Sequence, residues 1–146
     1  MNAAGIKEDP PFIHPRSTAR EQGLCFLYQC ECEKIFYFSE NHFLGFAEYF
    51  NLDRKTAAMT RELVRPVLDD LSHIDRVIEG AARNWSVPRM PATDRCVLRL
   101  ACSELLQKKM PVKVVINEAI DLARRYGTGE SGSFVNGILD RVASAR

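Results

Sequence analysis

Apolar side chains recur every three or four residues along most of this chain, the period of a helix with one buried face. No stretch of useful length alternates apolar and polar residues as a half-buried strand does. The first helix is expected to start near Thr18, where Thr18 and Glu21 form the T-A-R-E pattern of a capping box. Leu24, Leu27, Tyr28 and Glu31 then share one of its faces. Aromatic residues crowd into residues 35–50, and Phe43, Phe46, Ala47 and Phe50 repeat there at helical spacing, which favours a core stripe over an aromatic stack for bases. Asp53 is placed to cap the next helix, which runs to about Val64 or beyond until Pro66 kinks or ends it. Ile74, Val77, Ile78, Ala81 and Trp85 mark another helix, closed by Val87-Pro88.

Val97, Leu98, Ala101 and Leu105 define a helix from about Thr93, its expected cap, to Gln107. Pro111 suits the first turn of the following helix, which carries Val114, Val115, Ala119, Leu122 and Ala123. Gly127 is expected to stop it in a left-handed conformation. After a flexible Thr128-Gly129-Glu130, Phe134, Val135, Ile138, Leu139 and Val142 give the last helix. The fold class is therefore all-α, a compact bundle of about seven helices. Residues 1–15 hold Pro10, Pro11 and Pro15 without periodicity and read as a flexible N-terminal tail, leaving 16–146 as one domain.

Charge adds what the pattern leaves out. The net charge is only +1, but it is unevenly spread. Residues 31–75 are acidic and residues 76–146 basic, which suits two different partners. The five cysteines are an odd number, and Cys30-x-Cys32 lacks a matching second pair or a histidine at ligand spacing. They are read as reduced core or near-surface residues, with no metal site. No apolar run approaches the ~20 residues that span a bilayer, and the N-terminus lacks a basic start followed by an apolar stretch, so a cytoplasmic location is expected.

The usual signatures of catalysis are missing. Gly127–Gly132 has three glycines but no preceding strand and no Lys-Ser/Thr, so it is not a phosphate loop. Glu118 and Asp121 follow a common surface spacing, and Cys25 meets His73 only by accident of folding. No catalytic residue and no cofactor is assigned. Cations are better placed. Arg16 and Arg20 lie four apart near the first helix, and Lys108, Lys109 and Lys113 cluster where two later helices meet. Such groups either sit solvated or neutralise phosphates. Ser131 and Ser133 stand at the start of the last helix, where free N–H groups attract anions. Phe134 follows them, either to pack in the core or to stack on an unpaired base.

Three segments decide between these alternatives. DRCVLRLACSELL (Asp94–Leu106), PVKVVINEAIDLARRYG (Pro111–Gly127) and SGSFVNGILD (Ser131–Asp140) closely resemble the NusB family, as does A-R-E-x-x-L-x-x-L-Y-Q-x-E from Ala19 to Glu31. The resemblance spans about residues 16–145 and is weak through 33–70. It implies two small helical subdomains packed together, without catalysis or cofactor. It further implies an RNA-binding adaptor of transcription antitermination and ribosomal RNA synthesis. Such proteins bind boxA-type single-stranded RNA with NusE, a small-subunit ribosomal protein, in an RNA polymerase antitermination complex. By that resemblance Arg16, Arg20, Lys108, Lys109, Lys113, Glu130, Ser131 and Phe134 are the RNA-binding residues, and Tyr28 and Asp94 face NusE. Ser17 and Thr18 stand where the family often has further arginines, a loss of one or two phosphate contacts at ~0.7 of salt slope each. That departure keeps a second reading open, a homodimeric protein-interaction module with weak or lost RNA binding.

Overall fold

The computed structural model describes residues 14–145. Seven α-helices follow one another among them: α1 (Pro15–Glu33), α2 (Glu40–Tyr49), α3 (Arg54–Asp69), α4 (Leu71–Ala82), α5 (Ala92–Gln107), α6 (Val112–Tyr126) and α7 (Ser131–Ala145). A short 3₁₀ turn, Val87–Arg89, lies between α4 and α5. The tail expected over 1–15 lies outside the described residues except for its last two, which open α1.

α5 is the axle of the bundle. From Cys96 to Leu105 every side chain is buried, and α1, α3, α4, α6 and α7 all pack on it. The helices thus share one continuous core, from Leu24 and Phe26 through Leu98 and Leu100 to Leu139 and Val142. A helix buried all round must also bury its charges, and α5 does so in pairs. Arg99 makes a two-pronged bond to Asp75 of α4 at 2.8 and 2.9 Å and reaches Glu31 of α1 at 3.3 Å. Arg95 also pairs with Glu31, and its Nη1 donates to the Met90 carbonyl at 2.7 Å. Burial disfavours the Arg99 charge, but the bonds to Asp75 outweigh it and hold the guanidinium above its ordinary pKa.

Several helix ends differ from the sequence reading. α1 starts earlier, at Pro15, because the His14 ring accepts the Arg16 N–H at 3.1 Å and proline suits the first position. Thr18 is therefore inside the helix, and Glu21 caps nothing. It takes a bond from Arg125 at 2.7 Å and one from Tyr126, clamping α1 to the end of α6. Asp53 does cap α3, accepting the Thr56 N–H at 2.7 Å. That helix runs through Pro66 to Asp69. Its core face straddles the proline: Thr60 and Val64 precede it and Val67 and Leu68 follow, all buried. Burying two aliphatic side chains at ~1.5–3 kcal/mol each offsets the proline's cost of ~3 kcal/mol.

α5 begins at Ala92 with Pro91 before it, so Thr93 is no cap. Gly127 ends α6 with φ −98° and ψ −153°, not in the left-handed region. Space rather than backbone freedom requires glycine here, since a Cβ would lie 2.3 Å from Ser131 Oγ. Of the aromatic stripe, Phe43 and Phe46 are buried, but Phe50 and Tyr49 are exposed. No helix is long and apolar enough to cross a membrane among the described residues.

Candidate nucleic-acid interface

The end of α5 sets the first part of the site. Lys108 closes that helix with φ 57°, its N–H donating to the Leu105 carbonyl at 3.3 Å. The turn leaves Lys108 and Lys109 exposed, and Lys113 is exposed in the first turn of α6. Across from them Arg16, also exposed, rests Nη1 on Met110 Sδ at 3.4 Å. The thioether thus spans the two cationic clusters. A groove of about 630 Å³ runs here between α1, α3 and the α5–α6 turn, with Arg16, Lys109, Arg61 and Arg65 on its walls. Arg16, Lys108, Lys109 and Lys113 have no acidic partner among the described residues. Arg61 and Arg65 are paired with Glu40 and Asp69 and lie over the rings of Phe43 and Phe38. Sequence reading passed over both, although their four-residue spacing on α3 was a legible signal.

Arg20 behaves differently from Arg16. It is 3% exposed and gives two bonds to Glu104 of α5, at 2.8 and 2.9 Å, with Glu118 of α6 at 3.9 Å. Burial opposes its charge, yet the Glu104 bond and the two carboxylates hold its pKa above the usual value. Ser17 completes this cluster by donating to Glu118 at 2.6 Å. Arg20 therefore lines the floor of the groove while its charge is spent on the fold.

The second part of the site lies at the start of α7. Phe134 is half-buried, and its ring meets Trp85 edge to face, centroids 5.7 Å apart. Trp85, which the apolar spacing counted among the residues of this helix, lies beyond the end of α4 and is 47% exposed. Its partnership with Phe134 across forty-nine positions of sequence left no local trace. Ser131 is buried, and its hydroxyl accepts the Thr128 N–H at 2.9 Å, so it braces the turn. Ser133 and Glu130 are exposed. Gly132 lets the Arg124 side chain cross close by, since a Cβ would meet it at 3.2 Å. That contact sets Phe134 level with the C-terminal part of α6. Lys113 is at the other end, roughly 16 Å away along the axis at 1.5 Å per residue.

The two residues assigned to a protein partner are also unlike one another. Tyr28 is 45% exposed on α1. Asp94 is 4% exposed in the first turn of α5, with Oδ1 lacking a hydrogen-bond partner. Its carboxylate is held where the helix dipole favours it, and offers little surface to another chain.

The model of the NusB family matches residues 17–144. The chain belongs to the NusB family. A transcription antitermination protein NusB of Anaeromyxobacter dehalogenans is 44% identical over 132 residues, 88% of this chain and 90% of that one. A NusB of Thermotoga sp. is 49% identical over 91 residues, 62% of this chain and 64% of its own. The solved structure of T. maritima NusB superposes with a TM-score of 0.78 at 39% identity, covering 91% and 93% of the two chains. A NusB in a complex of antitermination factors NusB and NusE with double-stranded RNA superposes at 0.80 and 26% identity, covering 92% of this chain and all of that one. The NusB fold therefore extends through the segment 33–70, where resemblance by motif is weak.

Proposed function

We propose that this chain is a cytoplasmic, non-catalytic RNA-binding adaptor of transcription antitermination and ribosomal RNA synthesis. It takes boxA-type single-stranded RNA together with NusE and joins the RNA polymerase antitermination complex. The observation that carries this reading is the set of unpaired cations, Arg16, Lys108, Lys109 and Lys113, gathered round the α5–α6 turn of a NusB-family chain. Unpaired cations release counterions when they meet phosphates. The Phe134–Trp85 pair adds an aromatic surface on which an unpaired base can stack. The relatives' name and the counterpart's NusE and RNA point the same way. Tyr28, exposed on α1, is the more accessible of the two residues assigned to NusE.

The second reading, a homodimeric interaction module with RNA binding lost, draws support from Arg20, whose charge is already satisfied by Glu104. Titration of labelled boxA RNA at two salt concentrations, with and without NusE, separates them. Binding that weakens with salt and tightens with NusE is the expected result. A folded chain that leaves the RNA free even with NusE present refutes the adaptor reading.

A further inference from the structure

A second cleft, of about 650 Å³, lies between α4 and the C-terminal half of α7. Arg76, Arg83 and Arg141 line it above an apolar floor that includes Val77, Leu106 and Val142, and no carboxylate is among its lining residues. Arg76 and Arg83 are exposed and have no acidic partner among the described residues. Arg141 is anchored by Nε, which donates to the Ala81 carbonyl at 2.6 Å. Its Nη1 lies 3.8 Å from where a Cβ at Gly137 would stand. That is ordinary contact distance, so the guanidinium lies beside the Gly137 turn of α7.

The backbone at Arg83 is strained. Its φ is 57° and ψ −72°, and the Asn84 N–H donates to the Ala82 carbonyl at 2.6 Å. This is a γ-turn of the rarely used hand, which glycine adopts more easily than arginine. Strain of this kind persists only where surrounding structure enforces it. The same turn carries Trp85 to the edge of the Phe134 ring. Arg141 follows Phe134 by seven residues, two turns on the same face of α7 and about 10 Å along its axis.

We propose that this cleft is a phosphate-binding extension of the RNA site. A strand with one base on the Trp85–Phe134 pair continues along α7, and its next phosphates lie between Arg83, Arg76 and Arg141. Guanidinium forks match phosphate oxygens in pairs, and the absence of a carboxylate from the walls leaves their charge uncancelled. The apolar floor accommodates sugar and base faces. This inference rests on the RNA-adaptor reading, and its test keeps the two apart.

The test uses a short boxA-type RNA and the same RNA lengthened by several nucleotides at both ends, each titrated in the presence of NusE over a range of salt. The wild-type chain is expected to bind the longer RNA more tightly and with a steeper salt dependence. The double variant Arg76→Gln/Arg83→Gln is expected to bind the short RNA as the wild type does. On the longer RNA it loses about 1.4 of logarithmic salt slope, two phosphates at ~0.7 each. Arg83→Gly relieves the turn, so it should fold at least as well and still lose about 0.7. Retention of the full length-dependent gain by either variant overturns the proposal. So does equal binding of both lengths by the wild type, a result that leaves the cleft to an acidic protein partner. Binding of neither RNA by the wild type removes the adaptor reading and this inference together.

Discussion

Phe134 stands half-buried against Trp85, so its ring is partly core and partly surface. Truncation should then show in two separate measurements. Phe134→Ala is expected to weaken boxA RNA binding by about 1–3 kcal/mol, the worth of one base–aromatic stack, while the far-ultraviolet circular dichroism stays helical. Unchanged affinity in a folded variant would assign the ring to packing alone. The thiols give a prediction of another kind. Cys30, Cys96 and Cys102 are buried, and burial first of all pushes each up to about 12. A neutral thiol is a poor nucleophile, so at pH 8 an alkylating reagent should label exposed Cys32 and spare these three. Mass spectrometry of the native protein checks this. The same shift fixes the sign of a stability effect. Above about pH 9 the unfolded chain loses these protons and the folded chain keeps them, so stability should fall as pH rises from 9 towards 12. Denaturant midpoints that stay flat across that range would contradict the burial of these groups.

At the scale of elements, charged side chains decide how helices meet. Arg20 of α1 and Glu104 of α5 form a buried pair with Glu118 of α6 beside it. Removing the cation strands two carboxylates, one of them 7% exposed, so Arg20→Gln is expected to destabilise the fold by about 3–5 kcal/mol in urea unfolding. A loss below about 1 kcal/mol would mean that Arg20 is free for RNA after all. Asp53 belongs to a smaller class. Its carboxylate caps α3, and Asp53→Ala should cost about 1 kcal/mol, read from the shift in denaturant midpoint. Most of these elements were legible in the sequence, because the apolar period of α4, α6 and α7 follows their buried faces, with Val114 exposed as the exception, while α5 is buried all round. Their ends were less so. The cap at His14 and the passage of α3 through Pro66 depend on what the neighbouring helices bury, which no local pattern records.

For the whole molecule, the separation of paired from unpaired cations controls the response to salt. Arg95, Arg99 and Arg20 are committed to the bundle, whereas Lys108, Lys109 and Lys113 are exposed at one corner. Changing those three lysines to glutamine should lower the slope of log affinity against log salt by about 2, near 0.7 for each phosphate contact. Stability should hardly move, since none of the three lysines is buried. An unchanged slope would place the RNA on another face. The sequence marked these lysines as a cluster on spacing alone, but it paired Arg20 with Arg16 as an equal cation. The fold puts one inside and one outside, because the helix carries them past different neighbours.

The sequence by itself determined that the chain is helical and where its apolar faces lie, because helix periodicity is written in local spacing. Its motifs also carried the family. What only the tertiary structure decided is which charges remain for a ligand: Arg16 and the lysines are left over, and Arg20 and Asp94 are buried. Trp85 came to lie against Phe134 in the same way, through a turn that the helices around it hold in place. An ion pair or a ring contact between distant segments depends on where helices pack, and packing is settled by the whole core at once.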